Sequence, residues 1–411
     1  MGDSAPERVG MSAGRLERIA PAMASYVERG KVAGISTLLS RRGEVVHTHQ
    51  VGHRDREADL PMTDDTIFRI YSMTKPVVAT ALMLLVEEHG IRLTDPVAAF
   101  IPAFGATQVF AEDGSIVPPN RPIDLRDVLT HTSGLTYDFM EGSPADVRYR
   151  EARIMNDASR TLEELAEAIA EIPLAFQPGT RWHYSVGTDV AARVVEVLSG
   201  QPLGRFLQDR LFDPLGMVDT GFAVPDDQLG RLSAMYGLPD LVGEGFSATP
   251  LVEAMLSGFN ERIDVSATYP TDRPDTWARG GLGLFSTVRD YHRFAQLLLD
   301  GGRVDGERLI GRKTLELMHT NHLPEALRPY EILGQLNPGW GFGLASRVLL
   351  DVGLHGGPGS VGEFGWAGAA KTYYWVDPAE ELVGVFMAQY MTGMESPEAG
   401  FRTLAYQAID D

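Results

Sequence analysis

Apolar side chains recur with two different periods along this chain, and the change of period divides it into three parts. Near the N-terminus, Leu16, Ile19, Met23 and Val27 share one face of the segment Ala13–Gly30, which predicts an amphipathic helix with a terminal glycine. Two extended segments with a glycine between them then predict a β-hairpin, formed by Gly34–Ser40 and Glu44–His49.

The middle of the chain, from about Leu93 to Arg273, has helical patterns separated by loops that contain proline and glycine. Alternation of apolar and polar residues, which would indicate strands, is rare in this part. The predicted helices are Leu125–Thr130, Leu162–Glu171, Asp189–Ser199 and Leu203–Leu211.

Strand character returns after this helical part and is strongest near the C-terminus. Three consecutive antiparallel strands are predicted there, with a turn at Asp377–Glu380 and a closing helix over Phe401–Ile409. The predicted strands, including an earlier short one, are Gly283–Ser286, Gly362–Gly368, Lys371–Val376 and Leu382–Tyr390.

Strands at both chain ends and helices between them predict an α+β fold. We expect one antiparallel sheet, built from both ends of the chain and flanked by helices, with a mainly helical unit inserted. The predicted sheet domain is discontinuous and comprises residues 1–75 and 275–411, and the helical domain comprises residues 76–274. The active site is expected between the two domains, where clefts usually form.

Composition excludes several classes of protein. The 411 residues carry a net charge of −20, which argues against nucleic acid and against an anionic membrane surface as partners. The chain has no cysteine, so disulfides, thiolate metal sites and cysteine nucleophiles are excluded. The N-terminal residues lack an apolar core, and the longest apolar run, Val77–Val86, is too short to span a bilayer. We expect a cytoplasmic protein, whose oligomeric state the sequence leaves open.

The stretch Ser72-Met73-Thr74-Lys75 carries the strongest chemical signal. It enters an apolar helix that is predicted to end near Gly90, so the serine and the lysine lie one helical turn apart on one face. Serine becomes a nucleophile only when a base takes its proton. Removal from water favours the neutral form of a lysine, and the neutral amine can accept that proton. The S-x-x-K pattern is typical of serine acyl-transfer enzymes.

A proton relay for this pair is predicted at Tyr184, in an aromatic-rich loop that follows the turn Pro178-Gly179. A phenol flanked by cations can act as a base well below its usual range. The alternative is a tyrosine that only packs in the core. His183 is a rival, but it alternates with Tyr184 and should point away from the serine.

With these residues in view, the chain resembles the serine β-lactamase and penicillin-binding-protein superfamily in its class C-like branch. Within that branch it is most similar to the family VIII carboxylesterases. Several motifs carry the resemblance over most of the chain: Ser72-x-x-Lys75, Leu129-Thr130-His131-Thr132-Ser133-Gly134-Leu135, Pro178-Gly179 with Tyr184-Ser185-Val186, Gly280-Gly281-Leu282, Phe285-Ser286-Thr287, Gly365-Trp366-Ala367-Gly368 and Asp377-Pro378.

The resemblance implies a β-lactamase-like fold and a role for each matching residue. Ser72 would be the acyl nucleophile, and Lys75 with Tyr184 would transfer protons. The backbone N–H groups of Ser72 and Ala369 would form the oxyanion hole. The substrate-binding residues would be Val186, Trp366, Ala367 and Gly368.

Two departures from the class C β-lactamases bear on the substrate. Those enzymes have asparagine where this chain has Val186, and a K-T-G motif where it has Trp366-Ala367-Gly368. Lys371-Thr372 is a possible competitor, but it lies beyond the predicted turn and is followed by tyrosine. A site without the amide and the ammonium favours uncharged, apolar groups. We therefore expect a carboxylesterase for short-chain, small-molecule esters.

Other activities with the same Ser-Lys-Tyr chemistry stay open: an acyltransferase, a D-amino peptidase and a weak β-lactamase. A catalytically silent ligand-binding homologue is the alternative of another class. No G-x-S-x-G motif occurs, so His131 and His355 are expected to be structural rather than triad bases. The histidine spacing indicates no metal site, and no cofactor is expected. The stretch Pro225–Arg273, with Met235, Tyr236, Met255 and Phe259, is expected to shape the pocket.

Overall fold

The computed structural model describes residues 5–237, 261–391 and 395–411. The helices of this part are α1 (Ala13–Leu16), α2 (Ile19–Glu28), α3 (Thr74–His89), α4 (Leu125–Thr130), α5 (Pro144–Glu151), α6 (Leu162–Ala170), α7 (Gly187–Ser199), α8 (Leu203–Leu207), α9 (Asp213–Leu215), α10 (Val288–Leu299), α11 (Arg312–Met318), α12 (Val352–His355) and α13 (Pro397–Gln407). The strands are β1 (Gly34–Arg41), β2 (Glu44–Asp55), β3 (Leu60–Pro61), β4 (Phe68–Arg69), β5 (Val109–Phe110), β6 (Ile116–Val117), β7 (Met235–Gly237), β8 (Glu261–Ile263), β9 (Phe285–Ser286), β10 (Arg303–Val304), β11 (Glu307–Arg308), β12 (Glu331–Ile332), β13 (Gln335–Leu336), β14 (Trp340–Phe342), β15 (Arg347–Leu349), β16 (Phe364–Gly368), β17 (Thr372–Asp377) and β18 (Leu382–Ala388).

A central antiparallel sheet joins the two ends of the chain, as the sequence predicts. Its strand order is β14-β15-β16-β17-β18-β1-β2-β3. The C-terminal strand β18 pairs with the N-terminal strand β1, for example at Leu38 and Val385. The fold is therefore α+β, and neither end of the chain can complete the sheet without the other.

The hairpin of β1 and β2 forms at the predicted turn. Arg42 and Gly43 both have a positive φ, 51° and 76°, the conformation that a two-residue turn between twisted strands requires. Strand β2 extends to Asp55, well beyond the predicted end at His49.

Helices cover both faces of the sheet. On one face, α2 packs against α13, and a cluster that includes Met23, Trp375 and Phe401 fills the space beneath them. On the other face, α10 packs against β1, β17 and β18. Both sides of the sheet are thus buried, which explains why every residue of β1 and of β18 is buried.

The single helix predicted over Ala13–Gly30 is wrong, because the structure divides this segment into α1 and α2. Pro21 lies in the first turn of α2 and has no N–H to donate to the carbonyl of Glu17. A proline ring also clashes with the carbonyl four residues earlier, so the chain breaks at Glu17 and Arg18 and restarts at Ile19.

Helix α3 is the centre of the larger hydrophobic core. All its side chains from Thr74 to Val86 are buried, and it ends at Gly90 with φ 64°, at the predicted stop. It packs against α7, α8 and α11, and α7 in turn packs against α4 and α6. The division into a sheet domain and a helical domain at residues 76 and 274 stays a proposal.

The C-terminal prediction agrees with the structure in element type and order. Strands β16, β17 and β18 are consecutive and antiparallel. The final helix begins at Pro397, earlier than the predicted Phe401, because proline is well suited to the first position of a helix.

Candidate active site

Ser72 lies in a tight turn between β4 and α3. The turn is a 3₁₀ segment over Tyr71–Met73, so the serine precedes the helix instead of opening it. Tyr71 has φ 44°, an uncommon conformation for a bulky residue and one that costs free energy. The turn is held from the opposite side, since the Tyr291 hydroxyl donates to the Met73 carbonyl at 2.8 Å. The serine is therefore presented on a fixed and strained piece of backbone.

Lys75 is fully buried and points at this serine. Its Nζ donates to Ser72 Oγ at 3.1 Å and to the carbonyl of Gly281 at 2.6 Å. It also lies above two aromatic rings, 4.8 Å from the ring centre of Tyr184 and 5.4 Å from that of Tyr137. The predicted spacing thus brings amine and hydroxyl into direct contact.

Tyr184 reaches the same serine from another element. The loop that carries it follows the turn at Gly179 and leads into α7. Its hydroxyl donates to Ser72 Oγ at 2.6 Å. Ser72 Oγ consequently contacts both a phenol and an amine, and either group, once it has lost its proton, can accept the proton of the serine.

Aromatic rings enclose Tyr184. Its ring centre lies 4.8 Å from that of His131, 5.2 Å from that of Tyr137 and 5.8 Å from that of Trp366. Phe342, which the sequence analysis missed, meets the ring of Trp366 edge-on at 5.2 Å. This apolar enclosure strengthens the electrostatic interactions at the serine, because little water can screen them.

The histidines of this region do not contact Ser72. Burial lowers the pKa of His131 well below its usual value, with Lys75 and His183 adding to the effect, so its imidazole is neutral. Its Nδ1 lies 3.2 Å from Ser185 Oγ, and His183 contacts Thr136 instead. His131 therefore packs behind the tyrosine, and the predicted structural role is the one its contacts indicate.

His355 has other partners than Ser72, Lys75 and Tyr184. It accepts a hydrogen bond from Trp340 Nε1 at 3.0 Å, and burial lowers its pKa to about 4, with Arg402 and Arg347 contributing. These contacts favour the structural role that the sequence predicts.

The end of β16 lies against the turn that holds Ser72. Thr372 Oγ1 donates to the carbonyl of Ile70 at 3.1 Å, and a Cβ on Gly368 would come within 2.3 Å of the same carbonyl oxygen. Strand β15 pairs with β16 only at Phe364 and Gly365, so the outer edge of residues 366–368 has no strand partner in the described part of the chain. The segment that leads to Ala369 thus reaches the serine turn.

The proposed substrate-binding residues differ in exposure. Ala367 is exposed and Gly368 is half-buried. Trp366 is 6% exposed and Val186 only 1%. Val186 lines a narrow internal space together with Leu282, so its side chain shapes the site from behind.

Lys371 does not replace the missing K-T-G lysine. It is the last residue of the turn between β16 and β17 and has φ 61°. Its Nζ lies 3.8 Å from Glu398 on α13, and this ion pair directs it to the helix.

Of the pocket residues expected in Pro225–Arg273, Met255 and Phe259 lie outside the described residues. Met235 and Tyr236 form β7 and are buried, and the Tyr236 hydroxyl donates to Glu57 at 2.7 Å.

Within the described ranges, no three histidine, aspartate or glutamate side chains are grouped so that they could hold a metal ion. No helix among the described residues has both the length and the apolar character needed to cross a membrane.

The chain is similar to known proteins over almost its whole length. The Beta-lactamase family matches residues 19–408. Esterase EstB of Burkholderia gladioli is 31% identical over 363 residues, 85% of this chain and 84% of EstB. Lovastatin esterase of Penicillium rubens is 30% identical over 379 residues, 87% of this chain and 89% of that enzyme. The solved structure of EstCE1, described as a hydrolase with promiscuous acyltransferase activity, matches with a TM-score of 0.77 at 26% identity, covering 97% of this chain and 98% of EstCE1.

Proposed function

This chain belongs to the Beta-lactamase family and has the β-lactamase-like fold, and we propose that it is a serine hydrolase of the carboxylesterase type. Two relatives named as esterases, EstB and lovastatin esterase, support an esterase activity. The observation that carries the proposal is the position of Ser72 Oγ, 2.6 Å from Tyr184 Oη and 3.1 Å from Lys75 Nζ.

In the proposed acylation step, Ser72 Oγ attacks the carbonyl carbon of the ester and its proton passes to the Lys75–Tyr184 pair. The carbonyl oxygen becomes an oxyanion, which the N–H groups of Ser72 and Ala369 stabilise. The intermediate then collapses, the bond to the alcohol oxygen breaks, and Tyr184 returns a proton to the departing alcohol. The product of this step is an acyl ester of Ser72.

Deacylation repeats these roles with water. Water gives a proton to the Lys75–Tyr184 pair as its oxygen attacks the acyl carbon. The bond to Ser72 Oγ then breaks, the serine recovers its proton, and the carboxylic acid leaves. The chemistry balances without a metal ion or a redox group.

The expected substrates are short-chain esters with uncharged acyl groups. Trp366 places an aromatic side chain where class C β-lactamases have a lysine, and Val186, which replaces their asparagine, shapes the site from behind without an amide. Apolar surfaces of this kind tolerate variation in the substrate and discriminate poorly against analogues. A broad range of small esters is therefore proposed.

Acyl transfer to an alcohol is the second candidate. It uses the same acyl-enzyme and differs only in whether an alcohol or water attacks it. The description of EstCE1 as a hydrolase with promiscuous acyltransferase activity favours this candidate over the peptidase and β-lactamase alternatives.

The experiment compares kcat/KM for p-nitrophenyl butyrate with that for nitrocefin, using purified protein, with and without added methanol. We expect a clear preference for the ester and a partial diversion of product to methyl butyrate. A higher kcat/KM for nitrocefin would contradict the esterase proposal. Absence of turnover together with absence of labelling by a fluorophosphonate would indicate a non-catalytic ligand-binding protein.

A further inference from the structure

A buried carboxylate lies directly behind the proposed catalytic lysine. Asp189 belongs to the first turn of α7, is 3% exposed, and has no role in the mechanism given above. Its Oδ2 has no hydrogen-bond partner in the described part of the chain. A charge in such a position costs free energy unless other charges or hydrogen bonds compensate for it, so the surroundings of this carboxylate matter.

One peptide unit links Asp189 to the lysine. Asp189 Oδ1 accepts the N–H of Gly281 at 3.0 Å, and the carbonyl of the same glycine accepts Lys75 Nζ at 2.6 Å. A Cβ on Gly281 would lie 2.5 Å from Asp189 Oδ2 and 3.0 Å from Tyr137 Oη, so only glycine fits this connection. The carboxylate therefore fixes the carbonyl that holds the amine.

Two basic side chains, Lys75 and Arg279, interact electrostatically with this carboxylate. Burial raises the pKa of Asp189, whereas Lys75 and Arg279 act in the opposite direction. Arg279 Nε, like Asp189 Oδ2, lacks a partner among the described residues, and both side chains line a space too narrow for a water molecule. The attraction between Asp189 and Lys75 is mutual, so the charge of the carboxylate also acts on the amine.

Two phenols also face Asp189. Burial raises the pKa of Tyr137 and of Tyr149, and Asp189 adds to the rise in each case, so both stay protonated. The groups that surround Asp189 are thus Lys75 on α3, Arg279 in the segment before β9, Tyr137 in the loop after α4, and Tyr149 on α5. Of these, Lys75 is the one that contacts the proposed nucleophile.

We propose that Asp189 is a positioning residue of this site, which holds Lys75 against Ser72 through the Gly281 peptide. Its charge also sets the pH at which activity falls on the acid side of the pH–rate profile, called here the acid limb. The inference rests on the proposed function. Asp189 touches neither the substrate nor the serine, and it acts on the reaction only through the lysine and Gly281.

The test separates charge from geometry by two substitutions. Asp189→Asn keeps an oxygen for the Gly281 N–H and removes the charge, so the acid limb of kcat/KM should move to lower pH by about one unit. Asp189→Ala removes both, and kcat should fall tenfold to about a hundredfold with KM within about threefold, because the amine is displaced from the serine. The measurement is the pH–rate profile for p-nitrophenyl butyrate hydrolysis.

Asp290→Asn is the matched control. Asp290 is 4% exposed, but it accepts hydrogen bonds from the Asp219 N–H and the Thr220 hydroxyl, and neither of these donors contacts Ser72 or Lys75. Asp290→Asn should lower the Tm without moving the acid limb, which is the result expected for a carboxylate that only stabilises the fold. The proposal would be overturned if Asp189→Asn had the same acid limb and the same kcat/KM as the wild type. It would also be overturned if the acid limb of Asp290→Asn moved as far as that of Asp189→Asn.

If Asp189→Asn does not fold, Asp189→Glu decides the matter. It keeps the charge, so we expect the wild-type acid limb with a lower kcat, and a displaced limb would overturn the proposal. Ser72→Ala is measured in parallel. Full activity in Ser72→Ala would contradict the proposed function itself, whereas an inactive Ser72→Ala beside unaltered Asp189 variants would contradict only this inference.

Discussion

The hydroxyl of Tyr184 lies 2.6 Å from Ser72 Oγ, although 112 residues separate the two in the chain. Lys75 approaches the same oxygen from the helix that follows the serine, at 3.1 Å. The serine thus has one proton-transfer partner fixed by local helix geometry and one fixed only by the tertiary fold. Substitutions can test the two contributions separately.

Ser72→Ala should abolish ester hydrolysis and covalent labelling by a fluorophosphonate while the protein stays folded. The change removes one half-buried hydroxyl, so the Tm should move by only a few degrees. The matched control is Ser360→Ala, which should keep full activity. Ser360 lies in Pro358-Gly359-Ser360-Val361-Gly362, a segment that lacks only the first glycine of the G-x-S-x-G motif. Residual turnover with a burst in Ser72→Ala would contradict the assignment and direct attention to Ser185 or Ser360.

Lys75→Arg should be as inactive as Lys75→Ala, with kcat lowered by about a thousandfold in both. A guanidinium keeps its charge at every accessible pH, so it cannot take the proton of the serine even where it fits. Circular dichroism and Tm measurements on both variants show whether the fold survives the change in a fully buried side chain. Substantial activity in Lys75→Arg would mean that the lysine acts only as a fixed positive charge.

Tyr184→Phe should lower kcat by about a hundredfold or more while the stability hardly changes. The ring keeps its contacts with His131, Tyr137 and Trp366, so only one hydrogen bond is lost, which is about 1 kcal/mol of unfolding free energy. Parallel measurement of kcat and of urea unfolding gives both quantities. An active Tyr184→Phe would show that Tyr184 is only a packing residue.

Elements with strong periodicity or clear helix caps could be predicted from the sequence alone. Helix α4 has the predicted bounds because Asp124 and Asp127 form a reciprocal cap at its start and His131, with φ 58°, ends it. The S-x-x-K spacing likewise determined the contact between Ser72 and Lys75, since residues three apart meet on any helical turn.

Elements that depend on tertiary contacts were missed. Strands β14 and β15 have three residues each, too few to show a period of two, and they are stabilised by pairing within the sheet. Phe342 therefore gave no signal that it would reach the aromatic cluster around Tyr184. Asp189 had one available clue, an acidic residue in the first turn of a helix, but its contact with Gly281 joins segments 92 residues apart.

Buried neutral histidines should make the protein sensitive to acid. Burial lowers the pKa of His292 to about 4 and that of His319 to about 3, from 6.5. The unfolded chain therefore binds more protons than the native protein between about pH 6.5 and pH 4, so the unfolding free energy falls as the pH falls through this range. Asp138 acts in the opposite direction, because burial raises its pKa to about 6. Its contribution to the unfolding free energy therefore falls as the pH rises from 3.8 to about 6.

His292→Gln tests this account directly. Glutamine cannot titrate, so the fall in unfolding free energy between pH 6.5 and pH 4 should shrink by about 3 kcal/mol relative to the wild type. Ser40→Ala is the control: it removes the hydroxyl 2.7 Å from His292 Nε2 but keeps the imidazole, so it should lower stability with little change in the slope. Urea unfolding at half-unit pH steps measures the slopes. Equal slopes for wild type and His292→Gln would show that His292 is not neutral in the native protein at acid pH.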